Sequence, residues 1–256
     1  MKSRIATIAR FTLLEALRTR LPALGVLALA LLFGASFFVE AIAITEGERF
    51  HAGFYAASVR IAAVFIVAFH ALASVARELD DKGLDILLAL DLPRSHYVAG
   101  RLAGFLGVAA AFACAVCLPL LWSAPPAAVL QWGISLALEL ALMAALALFC
   151  IITFSHLLPA ASFVAAFYLL ARALTAIRLM SANPVAGADS LSHQAISWVV
   201  EGLVLVLPAL DGWTQTAWLV EQRASWTDVG WIAAQGVLYV ALLAAAAMFD
   251  LYRKNF

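Results

Sequence analysis

Charge is scarce in this chain of 256 residues. Asp, Glu, Lys and Arg together make up 12% of it, about half the ~25% of an ordinary soluble domain. Cysteine is scarcer still, with Cys114, Cys117 and Cys150 giving no disulfide framework. Cys114 and Cys117 stand in a C-x-x-C spacing, which puts two thiols on one helical face as soft-metal ligands would be. No second pair accompanies them, so packing in an apolar helix is the preferred reading. His51, His70, His96, His156 and His193 form no H-E-x-x-H or comparable cluster, no catalytic triad spacing occurs, and no P-loop is found. These absences disfavour metal hydrolysis, nucleophilic catalysis and ATP hydrolysis by this chain. What fills the chain is apolar. Hydrophobic residues reach 65% and the mean hydropathy is +0.99, which predicts a polytopic membrane protein with no soluble domain. The formal net charge of zero says little about nucleic acid, because in such a chain the placement of charge matters more than its sum.

Residues 1 to 20 hold Lys2, Arg4, Arg10, Arg18 and Arg20 against a single acid, Glu15. A secretory signal peptide is the competing reading of this end, with Ala41-Ile42-Ala43 as a small-residue site. The apolar run from Leu21 to Val39 is longer than an h-region of about 7–15 residues, so it is read as a permanent span. Ile5 to Leu17 fits a helix lying on the inner surface, with an apolar face of only fair definition. Six spans near the ~20 residues needed to cross the hydrocarbon are expected at 21–42, 57–76, 99–122, 131–153, 157–177 and 229–250. Ser123-Ala124-Pro125-Pro126 breaks the chain outside and Ser155-His156-Leu157-Leu158-Pro159 turns it inside. With both termini in the cytoplasm, the inner side carries Lys2, Arg4, Arg10, Arg18, Arg20, Arg77, Lys82, Arg94, Arg101, Arg253 and Lys254. The outer side has only Arg49, Arg60, Arg172, Arg178 and Arg223, as the positive-inside bias requires.

One polar stretch interrupts the first two thirds of the chain. From Arg77 to Gly104 it contains Glu78, Asp80, Asp81, Asp85 and Asp91 among Arg77, Lys82, Arg94 and Arg101. Leu84, Leu87 and Leu88 recur at helical spacing with Asp81 and Asp85 on another face, and Pro93 ends the pattern. A short amphipathic helix outside the bilayer is predicted. Ser95 is the expected cap of the next helix, and Gly100 and Gly104 form a face that a neighbouring helix can approach closely. A solvated connector whose charges only fix topology is the bland alternative, though such loops are usually basic and this one is rich in acid.

The order Arg-Glu, acids, Gly, aliphatic run, Leu-Pro, Arg-Ser, aromatic, Gly-Arg resembles the first cytoplasmic loop of the type-two ABC exporter permeases. This family includes the nitrous-oxide-reductase maturation and gliding-associated permeases. The matching positions are Arg77, Glu78, Asp81, Gly83, Leu87, Leu88, Pro93, Arg94, Tyr97, Gly100 and Arg101. The motif covers about 28 of 256 residues, and the spacing of apolar segments agrees along the chain. The resemblance implies an all-α permease of six transmembrane helices forming one domain over 1–256. Residues 1–20 would be an elbow helix, 77–98 the coupling loop, and 178–228 short exterior or re-entrant helices before the last span. It also implies a bacterial inner-membrane location, a second copy of the chain, and a cytoplasmic ATPase dimer that holds ATP and Mg, with no cofactor in this chain. An additional periplasmic or membrane subunit is compatible with it, and nucleic acid is not an expected partner. The residues expected to meet the ATPase are Arg77, Glu78, Asp81, Gly83, Leu84, Leu87, Leu88, Pro93 and Arg94. Glu78 and Asp81 would face its basic residues, or else neutralise Arg77 and Lys82 locally. A membrane-embedded enzyme or assembly factor without an ATPase is the alternative function.

Two charges lie inside expected spans. Glu139 and Arg172 fall at about 12 Å and 8 Å from the outer ends of their helices at 1.5 Å per residue, a depth at which they can pair. Arg172 could instead snorkel outward, or meet an anionic headgroup together with Arg178. Between Ile177 and Asp228, the apolar run from Ala195 to Leu210 is interrupted by Glu201, Gly202 and Pro208. Trp198, Trp213, Trp218 and Trp226 suit the headgroup level. A re-entrant or interfacial pair of short helices is expected there, with a complete seventh span as the alternative.

Overall fold

The computed structural model describes residues 2–42, 47–81, 93–182, 191–221 and 225–253. The helices are α1 (Lys2–Arg18), α2 (Leu21–Ile42), α3 (Gly47–Asp80), α4 (Arg94–Leu120), α5 (Pro126–Phe154), α6 (Leu157–Ala182), α7 (Leu191–Val206), α8 (Ala217–Val220) and α9 (Trp226–Arg253), with a 3-10 turn at Leu210–Gly212. No strand occurs among the described residues. Six helices, α2 to α6 and α9, are long and apolar enough to cross a bilayer.

Most of these helices run past the expected spans. The second span was placed at 57–76, whereas α3 has 34 residues and is about 51 Å long at 1.5 Å per residue. A helix ends where its backbone hydrogen bonds stop, and a polar end in water can continue the ladder. Thus Arg49, expected on the outer side, and His51, between the first two expected spans, belong to the first turns of α3. Ser95 does not cap α4. Pro93 occupies the cap position without a side-chain bond and Arg94 begins the helix. Ser155 closes α5 in the left-handed conformation, its N–H donating to Ile151 O, so the turn between α5 and α6 is shorter than the five residues expected.

α5 is the central post. From Glu139 to Leu148 it is buried on every side, which explains a sequence apolar all round instead of on one stripe. α3, α4, α6 and α9 surround it. α2 and α9 keep most of their side chains on the outside, among them Leu27, Leu31, Phe38, Val237 and Leu242, as befits helices facing lipid.

The face of Gly100 and Gly104 is met by α1. A Cβ on Gly100 would lie 2.7 Å from Ile8 Cβ, and one on Gly104 would lie 2.5 Å from Thr12 Cβ. The amino-terminal helix is therefore packed backbone-close along the start of α4, with Thr12 and Ala16 buried. The run from Ala195 to Leu210 is not one straight element. α7 continues through Glu201 and Gly202, then ends before Leu207-Pro208, and the chain bends by 58° into the segment from Leu210 to Val220.

Gly104→Leu should force α1 from α4 and lower stability by about 1–3 kcal/mol, the usual cost of overpacking. Gly34→Leu, where nothing lies within 4 Å of the added carbon, should change little. Thermal unfolding in detergent micelles compares the two.

Candidate functional site

Polar side chains in a bilayer must find partners within the protein, and here they gather in two networks. The first lies where α1, α3 and α4 meet. Arg101, almost fully buried, donates from NH1 to Glu15 Oε2 at 2.9 Å and to Thr12 Oγ1 at 3.1 Å. Its Nε donates to Glu78 Oε2 at 3.1 Å, and its NH2 stands 2.5 Å from Glu78 Oε1. Tyr97 donates its hydroxyl to Glu78 at 2.5 Å, Ser74 donates to Glu15 at 2.7 Å, and Arg77 reaches Glu15 at 3.3 Å. One guanidinium thus joins a carboxylate of α1 to a carboxylate of α3.

Three of the residues expected to meet the ATPase have partners within this chain. Glu78 is held by Arg101 and Tyr97, and Lys82 lies outside the described residues. Arg77 neutralises Glu15 on α1. Arg94 donates to the carbonyls of Leu251 at 2.6 Å and Tyr252 at 3.2 Å, where a cation also complements the carboxyl end of α9. Asp81 is exposed at the end of α3, and Pro93 precedes α4. Gly83, Leu84, Leu87 and Leu88, with the rest of the expected amphipathic helix, lie outside the described residues. Glu15 stood out in the sequence as the one acid among five amino-terminal bases, and that contrast was the available signal for its role.

The second network is deep in the bundle. Glu139 on α5 is fully buried and lies 3.6 Å from Arg172 NH1 on α6. Its Oε2 accepts a hydrogen bond from Thr214 Oγ1 at 2.7 Å. Thr214 N donates to Ser135 Oγ at 2.9 Å, and Arg60 on α3 donates to Thr214 O at 2.7 Å. Arg172 donates to the carbonyls of Leu210 and Trp213. The segment 210–214 is therefore drawn into the helix bundle, with Thr214 in the left-handed region at φ 48 and its backbone satisfied by two arginines and a serine. Arg172 is turned inward and Arg178 is exposed, so the two do not converge on one headgroup. Arg60 was assigned only to the outer side. Its position within the apolar run 57–76 was the sign of a buried role, since a charge at such a place needs a partner.

Cys114 is exposed and Cys117 half-buried, and they border an apolar groove between α4 and α5. No group of three or more His, Cys, Asp or Glu suited to a metal occurs among the described residues. No family model matches the chain, and no curated protein matches it at a significant level.

Removing Glu139 alone leaves Arg60 and Arg172 facing each other without a counter-charge. Glu139→Gln should destabilise the fold by about 3–5 kcal/mol, as expected for breaking a buried pair. Combining it with Arg172→Met should cost less than the sum of the single changes in unfolding titrations. A strictly additive double would dissolve the pair. In the first network, burial favours the protonated form of Glu15, but bonds from Arg101 and Ser74 and the charges of Arg101 and Arg77 outweigh it and hold the carboxyl below its ordinary value. A depressed value stabilises the fold above the ordinary glutamate pKa of ~4.3, and that stabilisation is lost as pH falls through the depressed value. The melting temperatures of the wild type and Glu15→Gln should therefore differ at neutral pH and converge in acid. A gap unchanged by acid would remove the ionised carboxylate from the account.

Proposed function

We propose that this chain is the membrane permease of an ABC transporter, an exporter or a mechanotransmitting complex, working as two copies above a separate cytoplasmic ATPase dimer. In this reading both termini face the cytoplasm of a bacterial inner membrane. α1 is the elbow helix, residues 77–98 form the coupling loop, and the bent pair around Leu207-Pro208 is a re-entrant element on the outer side.

One observation supports it above the others. Both ends of the stretch resembling the coupling loop are fastened to the bundle, the first through Glu78 to Arg101 and the second through Arg94 to the end of α9. A push on the loop would thus reach α1, α3, α4 and α9 together, as a power-transmitting loop requires. An ordinary connector needs no such fastening. Leu84, Leu87 and Leu88 would give the loop its anchor in a cleft of the ATPase, and Asp81 would help set its register. The ATPase supplies ATP and Mg, and this chain supplies the path and the lever.

Copurification of an ATPase with the solubilised protein is the direct test, and solubilised protein with no ATPase would favour an enzyme or assembly factor acting alone. Leu87→Asp should leave the protein membrane-inserted while releasing the ATPase, because a charge in an apolar cleft carries a desolvation cost of several kcal/mol. Glu78→Gln should retain the ATPase but weaken the coupling of hydrolysis to transport. Undiminished ATPase binding and transport by Leu87→Asp would sink the coupling-loop reading.

A further inference from the structure

Where α1 turns into α2, a groove of about 390 Å³ opens against α3. Its mouth holds Arg20 and Arg77, and its floor is apolar, with Leu24 from α2 and Phe65 and Phe69 from α3. Phe65 and Phe69 stack with ring centroids 6.0 Å apart, giving the floor a continuous flat wall. A bilayer-facing groove with cations at one end and hydrocarbon along the rest matches a molecule that is anionic at its head and apolar below.

Three further observations favour an anionic occupant at the mouth. Among the described residues Arg20 has no acidic partner, whereas the neighbouring Glu15 is already taken by Arg77, Arg101 and Ser74. The groove mouth is also the amino-terminal end of α2, whose dipole favours negative charge even with the N–H of Leu21 donating to Thr19 Oγ1 and that of Leu24 to Arg20 O. Further in, His70 lines the groove, is about nine-tenths buried, and has no hydrogen-bond partner at Nε2. That imidazole makes the inner wall partly polar.

We propose that this groove binds one anionic phospholipid. Arg20 and Arg77 hold its phosphodiester, and Leu24, Phe65 and Phe69 hold the upper part of an acyl chain. Cation clusters at the edge of transmembrane helices attract anionic headgroups in this way. The lipid would wedge between α2 and α3 beside the α1 turn. The proposal needs only the membrane-embedded bundle and does not depend on the transport reading, so loss of either leaves the other standing.

The test uses the full chain in nanodiscs of phosphatidylcholine with a minor fraction of phosphatidylglycerol. After extraction into mild detergent, the lipid retained per chain is counted by native mass spectrometry. The expected result is about one phosphatidylglycerol per chain, retained severalfold less by Arg20→Gln, restored by Arg20→Lys, and unaffected by Arg10→Gln on the exposed face of α1. Soluble glycerol phosphate should fail to displace the lipid, because the acyl chain contributes. Equal retention in Arg20→Gln and the wild type would overturn the site. So would equal loss in Arg10→Gln, which would mark diffuse attraction to a basic surface. Displacement by glycerol phosphate would overturn it as well, by reducing it to a simple phosphate contact.

Discussion

A guanidinium removed from water must have its N–H groups matched, or it costs several kcal/mol, and in this chain that requirement fixes how the helices meet. Arg101 stays buried because Glu15, Glu78 and Thr12 converge on it from two other helices. Arg60 stays buried and Arg172 half-buried because Glu139 and the carbonyls of Leu210, Trp213 and Thr214 converge on them. Apolar contacts alone discriminate weakly between helix faces in lipid, since lipid chains are as apolar as leucine. The arginines therefore choose the neighbours, and close packing follows around them.

The two networks divide the labour along the length of the bundle. The one around Arg101 ties the amino-terminal helix to the ends of the polar stretch, whereas the one around Glu139 ties the bent segment after α7 to the central post. α3 belongs to both, through Ser74, Arg77 and Glu78 at one end and Arg60 nearer the other. A single 34-residue helix thus links the two polar sites rigidly, with no break between them. In the permease reading, this is the rod by which events at the loop are felt in the deeper half of the bundle.

Much of the fold was legible because hydropathy reports lipid contact. The six apolar runs each became a helix, and Gly100 and Gly104 did mark a close approach. Hydropathy does not report where a helix ends in water, so α3 and α4 extended beyond their predicted limits. Nor could Gly100 name its partner, because α1 carries no signal of complementarity beyond small and medium side chains at Ile8, Thr12 and Ala16. In the candidate site, Glu139 and Arg172 were legible from matching depth. Arg60 was passed over as an outer-side base, and Thr214 had no signal at all, since its role depends on a left-handed backbone and a bend made 75 residues after Glu139. Glu78 was visible as a special acid, but its commitment to Arg101 and Tyr97 depends on how α3 and α4 are set side by side.

The deep network also has an order in time. Arg60 precedes Thr214 by 154 residues and Glu139 precedes it by 75, so Arg60 leaves the ribosome 79 residues ahead of its counter-charge. At about 5–20 residues per second, that interval is roughly 4–16 s, during which α3 has a cation and no acid to match it. Through that time the nascent helix must hold Arg60 near the headgroups or within the insertion machinery. The arrival of Glu139 on α5, and later of Thr214, completes the set of groups that match it.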